Sequence, residues 1–500
     1  MTNKEQLNWL PLIGICIAGF LGCLDLTIVN TALPAIQMDL NISVTQLQWV
    51  MTILLLALTT FMVISGKLAD LYGRRLCLYI GMILFAVSSI GVGLAPNIHF
   101  VIAFRFLQGI SIAFLYTAPV ALIPSIIPEH HHGRATGLLI GANGLGLAVG
   151  PVVGGLIVST LGWRWIFFIN PPIVLISFLF CWKRLVESKN DAAIKKIDWW
   201  GFALLIIALP AGILALVQGG AWGWSSMPVI GLILVALIGL GLFYYVETRV
   251  TAPIVEFHLF ANRIFLVGLA ANFSLAMFYA IDFFLIPLYL HYIQGKPAYQ
   301  IGLYLLPATV MVALLSSYTG RIVDKSGPKG VLIVGLLAFL LTGLMQSQFG
   351  AHTPNYVIIF AYLLFGIGWA CILSPSIVAA LSAVPKESAG VAMGTVGTLH
   401  NLGGAIGLAL GTLVYNVLSK SQLLAMLEKN GISPGIWTNQ VIANTDHAIA
   451  IMQKNTGLGV EKITTIFQQY FLNGYQGAMW LIIFSTVIAL LIVTFGLKNK

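Results

Sequence analysis

Long apolar runs alternate along this chain with short polar breaks. A helix needs about 20 apolar residues to cross a bilayer. Fourteen runs approach or reach that length, near 10–34, 47–66, 76–95, 98–124, 135–160, 163–183, 199–218, 228–247, 264–292, 301–320, 330–349, 355–381, 388–416 and 477–497. The expected fold class is an all-α polytopic membrane protein with 14 transmembrane helices. Composition agrees. Of the 500 residues, 8% are charged and 59% hydrophobic, whereas a soluble chain carries about 25% charged residues. Soluble enzymes, nucleic-acid binders and secreted domains are excluded.

Charge then orients the spans. There are 25 Lys and Arg against 16 Asp and Glu, a net +9. With the N-terminus in the cytoplasm, 18 of the 25 bases fall on inner segments and 6 on outer ones, and Arg105 sits inside a span. Four of the outer six lie in one long segment, 417–476, where the inside-positive rule has little force. Both termini are expected in the cytoplasm, in a bacterial cytoplasmic membrane, since eukaryotic cues are missing. Segment 417–476 reads as an extracytoplasmic connector, and its amphipathic stretches could form short surface helices. The five cysteines lie in apolar runs with no CxxC spacing, which suggests neither a disulfide framework nor a zinc site. The first apolar run lacks a small-residue cleavage site and reads as a retained span rather than a signal peptide.

The chain repeats itself. Gly66-Lys-Leu-Ala-Asp70-Leu-Tyr-Gly73-Arg74-Arg75 follows the second run, and Gly320-Arg-Ile-Val-Asp324-Lys-Ser-Gly327-Pro-Lys329 follows the tenth. Both fit G-[KR]-x-x-D-x-x-G-x-[KR]. Small residues recur every four positions at Ala142, Gly146, Gly150 and Gly154, and again at Gly403, Gly407 and Gly411. Such spacing puts them on one helix face, where backbones can approach closely. Two homologous six-span halves follow, at 1–183 and 264–500, with a helix pair and its linkers inserted at 184–263.

Several segments together resemble the major facilitator superfamily, and within it the fourteen-span drug:proton antiporters of the EmrB/QacA type. They are Leu24-Asp25-Leu26-Thr27-Ile28-Val29-Asn30-Thr31-Ala32-Leu33-Pro34; the Gly66–Arg75 loop; Arg105-Phe-Leu-Gln108-Gly109; Gly146-Leu-Ala-Val-Gly150-Pro151-Val-Val-Gly154-Gly155; Trp163-Arg164-Trp165-Ile-Phe167-Phe168-Ile-Asn170-Pro171; and Asp198-Trp199-Trp200-Gly201. The Gly146–Gly155 segment is similar to a motif associated with exporters. The chain departs from its relatives at His400-Asn401, where an Arg-Gln pair is usual.

Only Asp25 and Asp282 lie well inside spans, Glu247 sits at a span end, and Arg105 is the one base at depth. A charge at bilayer depth is costly and normally faces a bundle interior or water-filled cavity. Burial raises a carboxyl pKa and a nearby arginine lowers it, so an acid balanced between the two can load and release a proton. Asp25 is the expected proton carrier, and the resemblance implies a proton-coupling part for Arg105. A static ion pair between spans one and four is the other reading. Asp282, at similar depth on the first span of the second half, would carry a second proton, contact a cationic substrate, or only hydrogen-bond near the outer mouth. Asn30, Gln108, Asn272, Tyr279, His400 and Asn401 are candidate cavity-lining residues, and each can equally be a satisfied hydrogen bond between helices. His400 can titrate near neutral pH. His130-His131-His132 points in three directions and reads as a solvated loop rather than a metal site. In the inner loop, Asp70 can meet a helix N-terminus, and Arg74 and Arg75 can pair with acids across the halves or with lipid phosphate. Such contacts would latch the cytoplasmic side. Pro151 lacks a backbone donor and lets its helix bend.

The expected function is a proton-coupled exporter of drugs or other small amphipathic or cationic compounds, working by alternating access. Rivals are a dedicated exporter of one metabolite such as a siderophore or lipid, and a transport-dead receptor or scaffold. No Walker loop, nucleophile–base pair or metal cluster is found, so neither an enzyme nor a cofactor is expected. The expected partners are a small-molecule substrate, protons and the bilayer, with no nucleic acid. The chain is expected to work as a monomer, and some relatives of this type work with a periplasmic adaptor and an outer-membrane channel.

Overall fold

The computed structural model describes residues 9–42, 44–188, 198–250, 253–255, 257–296, 298–385, 388–435, 437–443 and 448–496. Both extreme termini lie outside these, as do Lys4, Lys189, Lys195, Lys196, Lys386, Lys498 and Lys500, which the charge tally used. Among the described residues there is no strand. In the bilayer every backbone polar group must be satisfied within its own element, which selects helices.

The first half holds α1 (Trp9–Ile28), α2 (Leu33–Leu40), α3 (Val44–Tyr72), α4 (Arg74–Gly93), α5 (Ile98–Ile126), α6 (His132–Thr160), α7 (Trp165–Phe168) and α8 (Asn170–Cys181). Next come α9 (Trp199–Trp222) and α10 (Met227–Glu247). The second half holds α11 (Arg263–Tyr292), α12 (Ala298–Ser326), α13 (Pro328–Gln346), α14 (Asn355–Ser382), α15 (Ala389–Lys429), α16 (Trp437–Ala443), α17 (Ala448–Thr456) and α18 (Val460–Gly496).

Twelve of these helices are individually long and apolar enough to span a membrane. The fifth run is α6, and the helical stretch Glu129–Leu147 that includes its start meets Val152–Thr160 at a bend of 42°, with Pro151 in the break. The sixth run, 163–183, is shorter than expected. It is the apolar stretch Trp165–Cys181, divided between α7 and α8, and Pro171 and Pro172 in the first turn of α8 cannot donate backbone hydrogen bonds.

The 417–476 connector needs correction. Its first part continues α15 to Lys429 and its last part opens α18 at Val460. Apolar positions such as Leu423, Leu427, Ile463, Phe467 and Phe471 pack into the core of the second half, so these turns are extensions of the span helices.

Packing repeats between the halves. α1 packs on α6 and α8 as α11 packs on α15 and α18, and α5 packs on α3 and α4 as α14 packs on α12 and α13. The fourfold-spaced glycines make the first of these contacts possible. A Cβ on Gly146 would lie 2.5 Å from the Phe20 carbonyl oxygen, and one on Gly407 would lie 2.7 Å from Met277 Cα. Gly150 and Gly154 face Thr27, Ile28 and Thr31, whereas Gly155 faces open space. Across the halves, α6 packs on α12 and α3 on α15. The inserted α9 and α10 rest on Val63 and Ile64 of α3 through Phe202, Leu205, Leu209 and Phe243.

Candidate functional site

Asp25 and Arg105 form a sealed ion pair. Arg105 Nη1 donates to Asp25 Oδ2 at 2.5 Å, and both side chains are 0% exposed. Gln108, one turn on from Arg105, completes the arrangement. Its Oε1 accepts from Arg105 Nη1 at 2.9 Å, and its Nε2 donates to Asp25 Oδ1 and Ser89 Oγ, each at 2.9 Å. Arg105 Nε donates to the Val50 carbonyl at 3.2 Å, and Asn170 Nδ2 to Ser89 Oγ at 3.1 Å. α1, α3, α4, α5 and α8 thus meet around one buried carboxylate. Both of its oxygens accept from N–H donors, one of them cationic.

The second half places a different chemistry in the matching location. Asp282 Oδ2 accepts from Tyr362 Oη at 2.6 Å and Oδ1 from Gln346 Nε2 at 2.7 Å. Arg105 stands 80 residues beyond Asp25, and Tyr362 stands 80 residues beyond Asp282.

Between the halves lies a cavity of about 150 Å³. Its walls are apolar over most of their surface, with Leu26, Leu58, Met62, Val120, Leu147 and Met393 among them. Polar groups come from Tyr116, Asn143, Asn272, His400 and Asn401, and among the described residues no acid or base of the Asp, Glu, Lys or Arg type lines it. Several of these groups are already engaged. His400 Nδ1 donates to Asn272 Oδ1 at 2.7 Å, Asn272 Nδ2 to Ser376 Oγ at 3.0 Å, and Asn401 Nδ2 to Met62 Sδ at 3.1 Å. Tyr279 stacks on Trp369 and on His400, with centroids 5.7 Å away in both cases. Phe278 instead packs into the core against Phe339 and Phe365.

One face of the bundle is closed by the repeated loop. Asp70 accepts from the Gly390 and Val391 amides at 3.0 and 2.8 Å, at the start of α15. Asp324 accepts from the Gly133 and Arg134 amides at 2.7 and 3.1 Å, at the start of α6. Helix N-termini present unpaired N–H groups and positive dipole ends, so carboxylates suit them. Gly73 (φ 118°) and Gly327 (φ 78°) turn the chain in the left-handed region that favours glycine. The other cross-half hydrogen bonds join Thr398 to the Thr59 carbonyl and Asn401 to Met62. Among the described residues these bonds lie at the cavity or between it and the motif loops.

The structure therefore brings together Asp25, Arg105 and Gln108, and separately Asn272, Tyr279, His400 and Asn401. It corrects three expectations. Gln108 faces the ion pair instead of the cavity, because its amide satisfies both charges. Asn30 is exposed in the short turn after α1 and does not line the cavity. The partners seen for Arg74 and Arg75 lie in the first half and the linker that follows it rather than across the halves. Arg74 donates to Asp70, the Ala121 carbonyl and Ser188, and Arg75 donates to the Leu185 carbonyl and pairs with Glu187. Gly66 abuts the Gly390 carbonyl. Asp282 does not line the cavity in this conformation. Sequence reasoning missed Ser89, Tyr116, Asn143, Gln346 and Tyr362. Tyr362 could have been found by carrying the Asp25–Arg105 spacing over to Asp282.

Long apolar helices packed about a central cavity define a polytopic membrane transporter. The chain belongs to the Major Facilitator Superfamily, whose sequence profile matches residues 15–408. It is 34% identical to multidrug resistance protein Stp of Mycobacterium tuberculosis, over 83% of this chain and 77% of that one. It is 32% identical to multidrug transporter protein MdtP of Bacillus subtilis, over 84% and 78%. It is 31% identical to the tetracenomycin C resistance and export protein of Streptomyces glaucescens, over 83% and 76%. In fold it is similar to the human organic anion transporter MFSD10, with a TM-score of 0.63 at 14% identity over 98% of this chain and 100% of that one. It is also similar to the proton:xylose symporter XylE, with a TM-score of 0.60 at 14% identity over 99% and 97%.

Proposed function

We propose that this protein is a proton-coupled exporter of small amphipathic compounds, of the fourteen-span type, with its motif loops and both termini in the cytoplasm. The observation that carries the reading is the double duty of α1. Asp25 points into the sealed pair with Arg105, while Cys23 and Leu26 on the same helix line the cavity. Protonating Asp25 removes the charge that holds Arg105, so α1 can shift against α5 and remodel the wall that touches cargo. Release of the proton from Asp25 restores the carboxylate and re-forms the pair. The inside-positive charge pattern supports the orientation, and the relatives named for drug resistance and export support the direction of transport. The acid-free cavity favours uncharged cargo over cations, because a charge desolvated without a partner is strongly disfavoured.

The test is purified protein in liposomes loaded with a pH-sensitive dye and challenged with a panel of amphipathic compounds. Compound-dependent proton flux that disappears in Asp25→Asn is expected. Proton flux that persists in that variant removes Asp25 from the carrier role.

A further inference from the structure

The two halves place partners of their buried acids at matching positions but with different chemistry. Asp25 and Asp282 lie on the first helices of their halves, α1 and α11. Arg105 and Tyr362 follow them at the same spacing of 80 residues. Gln346 follows Asp282 by 64 residues, and Ser89 occupies the corresponding place 64 residues after Asp25. The cation of the first half is therefore replaced by a phenol. Around Asp282 the groups from packed elements are Tyr362 of α14, Gln346 of α13 and, within electrostatic reach, Tyr475 of α18. Among the described residues no Lys, Arg or His pairs with Asp282. A fully buried carboxylate facing only neutral donors lacks the counter-charge that Arg105 offers Asp25.

Two further observations point to a proton. Gln346 Oε1 is buried without a partner, and Gln346 is 0% exposed. Reversing this amide would let Oε1 accept an acid O–H from Asp282, with Nε2 then taking the unpartnered position. Tyr475 Oη is also buried without a partner. Its ring stacks on Tyr289 at 5.1 Å, and Tyr289 Oη bonds the Gly350 carbonyl and Gln294, at the bundle end away from the motif loops. Tyr475 and Tyr289 thus follow Asp282 toward that face, with no hydrogen bond joining them to it among the described residues.

We propose that Asp282 is a second proton site, occupied in this conformation while Asp25 is ionised, and exchanging with the face opposite the motif loops. The two halves then hold protons out of phase. The stoichiometric part of this inference rests on the exporter reading, but occupancy does not.

Difference infrared spectroscopy of the purified full-length protein separates the two. A protonated-carboxyl carbonyl band is expected in the wild type. It should shift on transfer to heavy water, persist in Asp25→Asn and vanish in Asp282→Asn. Tyr362→Phe keeps the acid and should move the band by removing its hydrogen-bond partner. That variant also guards against misfolding of Asp282→Asn, in which the amide can still accept from Tyr362 and donate to Gln346. Absence of the band in the wild type, or its loss in Asp25→Asn with retention in Asp282→Asn, overturns the proposal. A band that does not shift in heavy water overturns exchange. In liposomes, Asp282→Asn should lower the protons moved per compound by one, and an unchanged ratio overturns the coupling role. Absence of any compound-driven flux in the wild type, with the band assigned as expected, counts against the exporter reading alone.

Discussion

Asp70 caps the helix that begins beside Gly390, accepting that residue's amide at 3.0 Å although 320 positions separate the two in sequence. Asp324 does the same to Gly133, 191 positions away. Each half thus holds the fifth span of the other by its N-terminus, and the closed face is sealed twice by one device.

Asp324→Ala should favour opening of this face by about tenfold, since each charge-assisted hydrogen bond is worth about 1.5–3 kcal/mol and much of that is regained from water. Maleimide labelling of Ser316→Cys, fully buried against Gly137, reports the change. Asp70→Ala should also lower the melting temperature more than Asp324→Ala. Asp70 neutralises Arg74, which is 2% exposed and would be left buried without its acid. Equal losses in the two variants would show that the Arg74 pair adds nothing.

Asp39 supplies a pH-dependent contact outside the spans. Arg164 and Trp163 donate to its Oδ2 at 2.6 and 3.1 Å and hold the carboxyl below the usual carboxylate range. A depressed acid stabilises above its unfolded pKa and loses that stabilisation as pH falls through the folded value. The Arg164 and Asp39 side chains are 38% and 45% exposed, so solvent screens the pair and Asp39→Asn should cost under about 1 kcal/mol at neutral pH. Melting curves of the variant should also be flatter than wild type below about pH 4.

The exporter-like segment contains its own control. Gly146→Ala forces a methyl against the Phe20 carbonyl and should destabilise by about 1–3 kcal/mol. Gly155→Ala meets nothing within 4 Å, and its better helix propensity should leave stability equal or slightly higher. Thermal unfolding in detergent distinguishes them, and similar losses would mean that α1 does not set the requirement for glycine.

Breaking the Asp25–Arg105 pair from one side should cost about 3–5 kcal/mol, because a buried charge loses its partner. Arg105→Gln should therefore unfold more readily than Asp25→Asn combined with Arg105→Gln. Additive losses in this double-mutant cycle would show that the two groups are not coupled.

Much of this was legible because it obeys simple spacing. Apolar runs gave the helices, and the repeated loop gave the relation between halves that the Asp70 and Asp324 caps make physical. Asp25 with Arg105 was readable because charge at depth is rare. Neutral partners carry no such signal, so Ser89, Gln346 and Tyr362 passed unnoticed, and Gln108 was put in the cavity although its amide faces the charges. The connector was misread because polar residues on α15 and α18 mark helix faces that continue past the apolar runs. Arg74 and Arg75 misled because charge alone does not say which acid or carbonyl is near.

The cavity makes the last prediction. At about 150 Å³ it matches the space that holds a single benzene ring and falls short of the 300–1,000 Å³ of drug-sized sites, so larger cargo requires the halves to part. Its polar groups are neutral, and Tyr279 and Trp369 offer stacked rings. A planar neutral compound should therefore compete for transport at least tenfold better than its permanently cationic N-methyl derivative, since the cation leaves water without gaining a counter-charge. Truncating one wall of the stack with Trp369→Ala should weaken the neutral compound by about 1 kcal/mol beyond lost area and narrow this preference. Competition by the cation equal to that of the neutral parent would mean that an acid enters the cavity during the cycle, with Asp25 released from Arg105 as the first candidate to examine by Asp25→Asn.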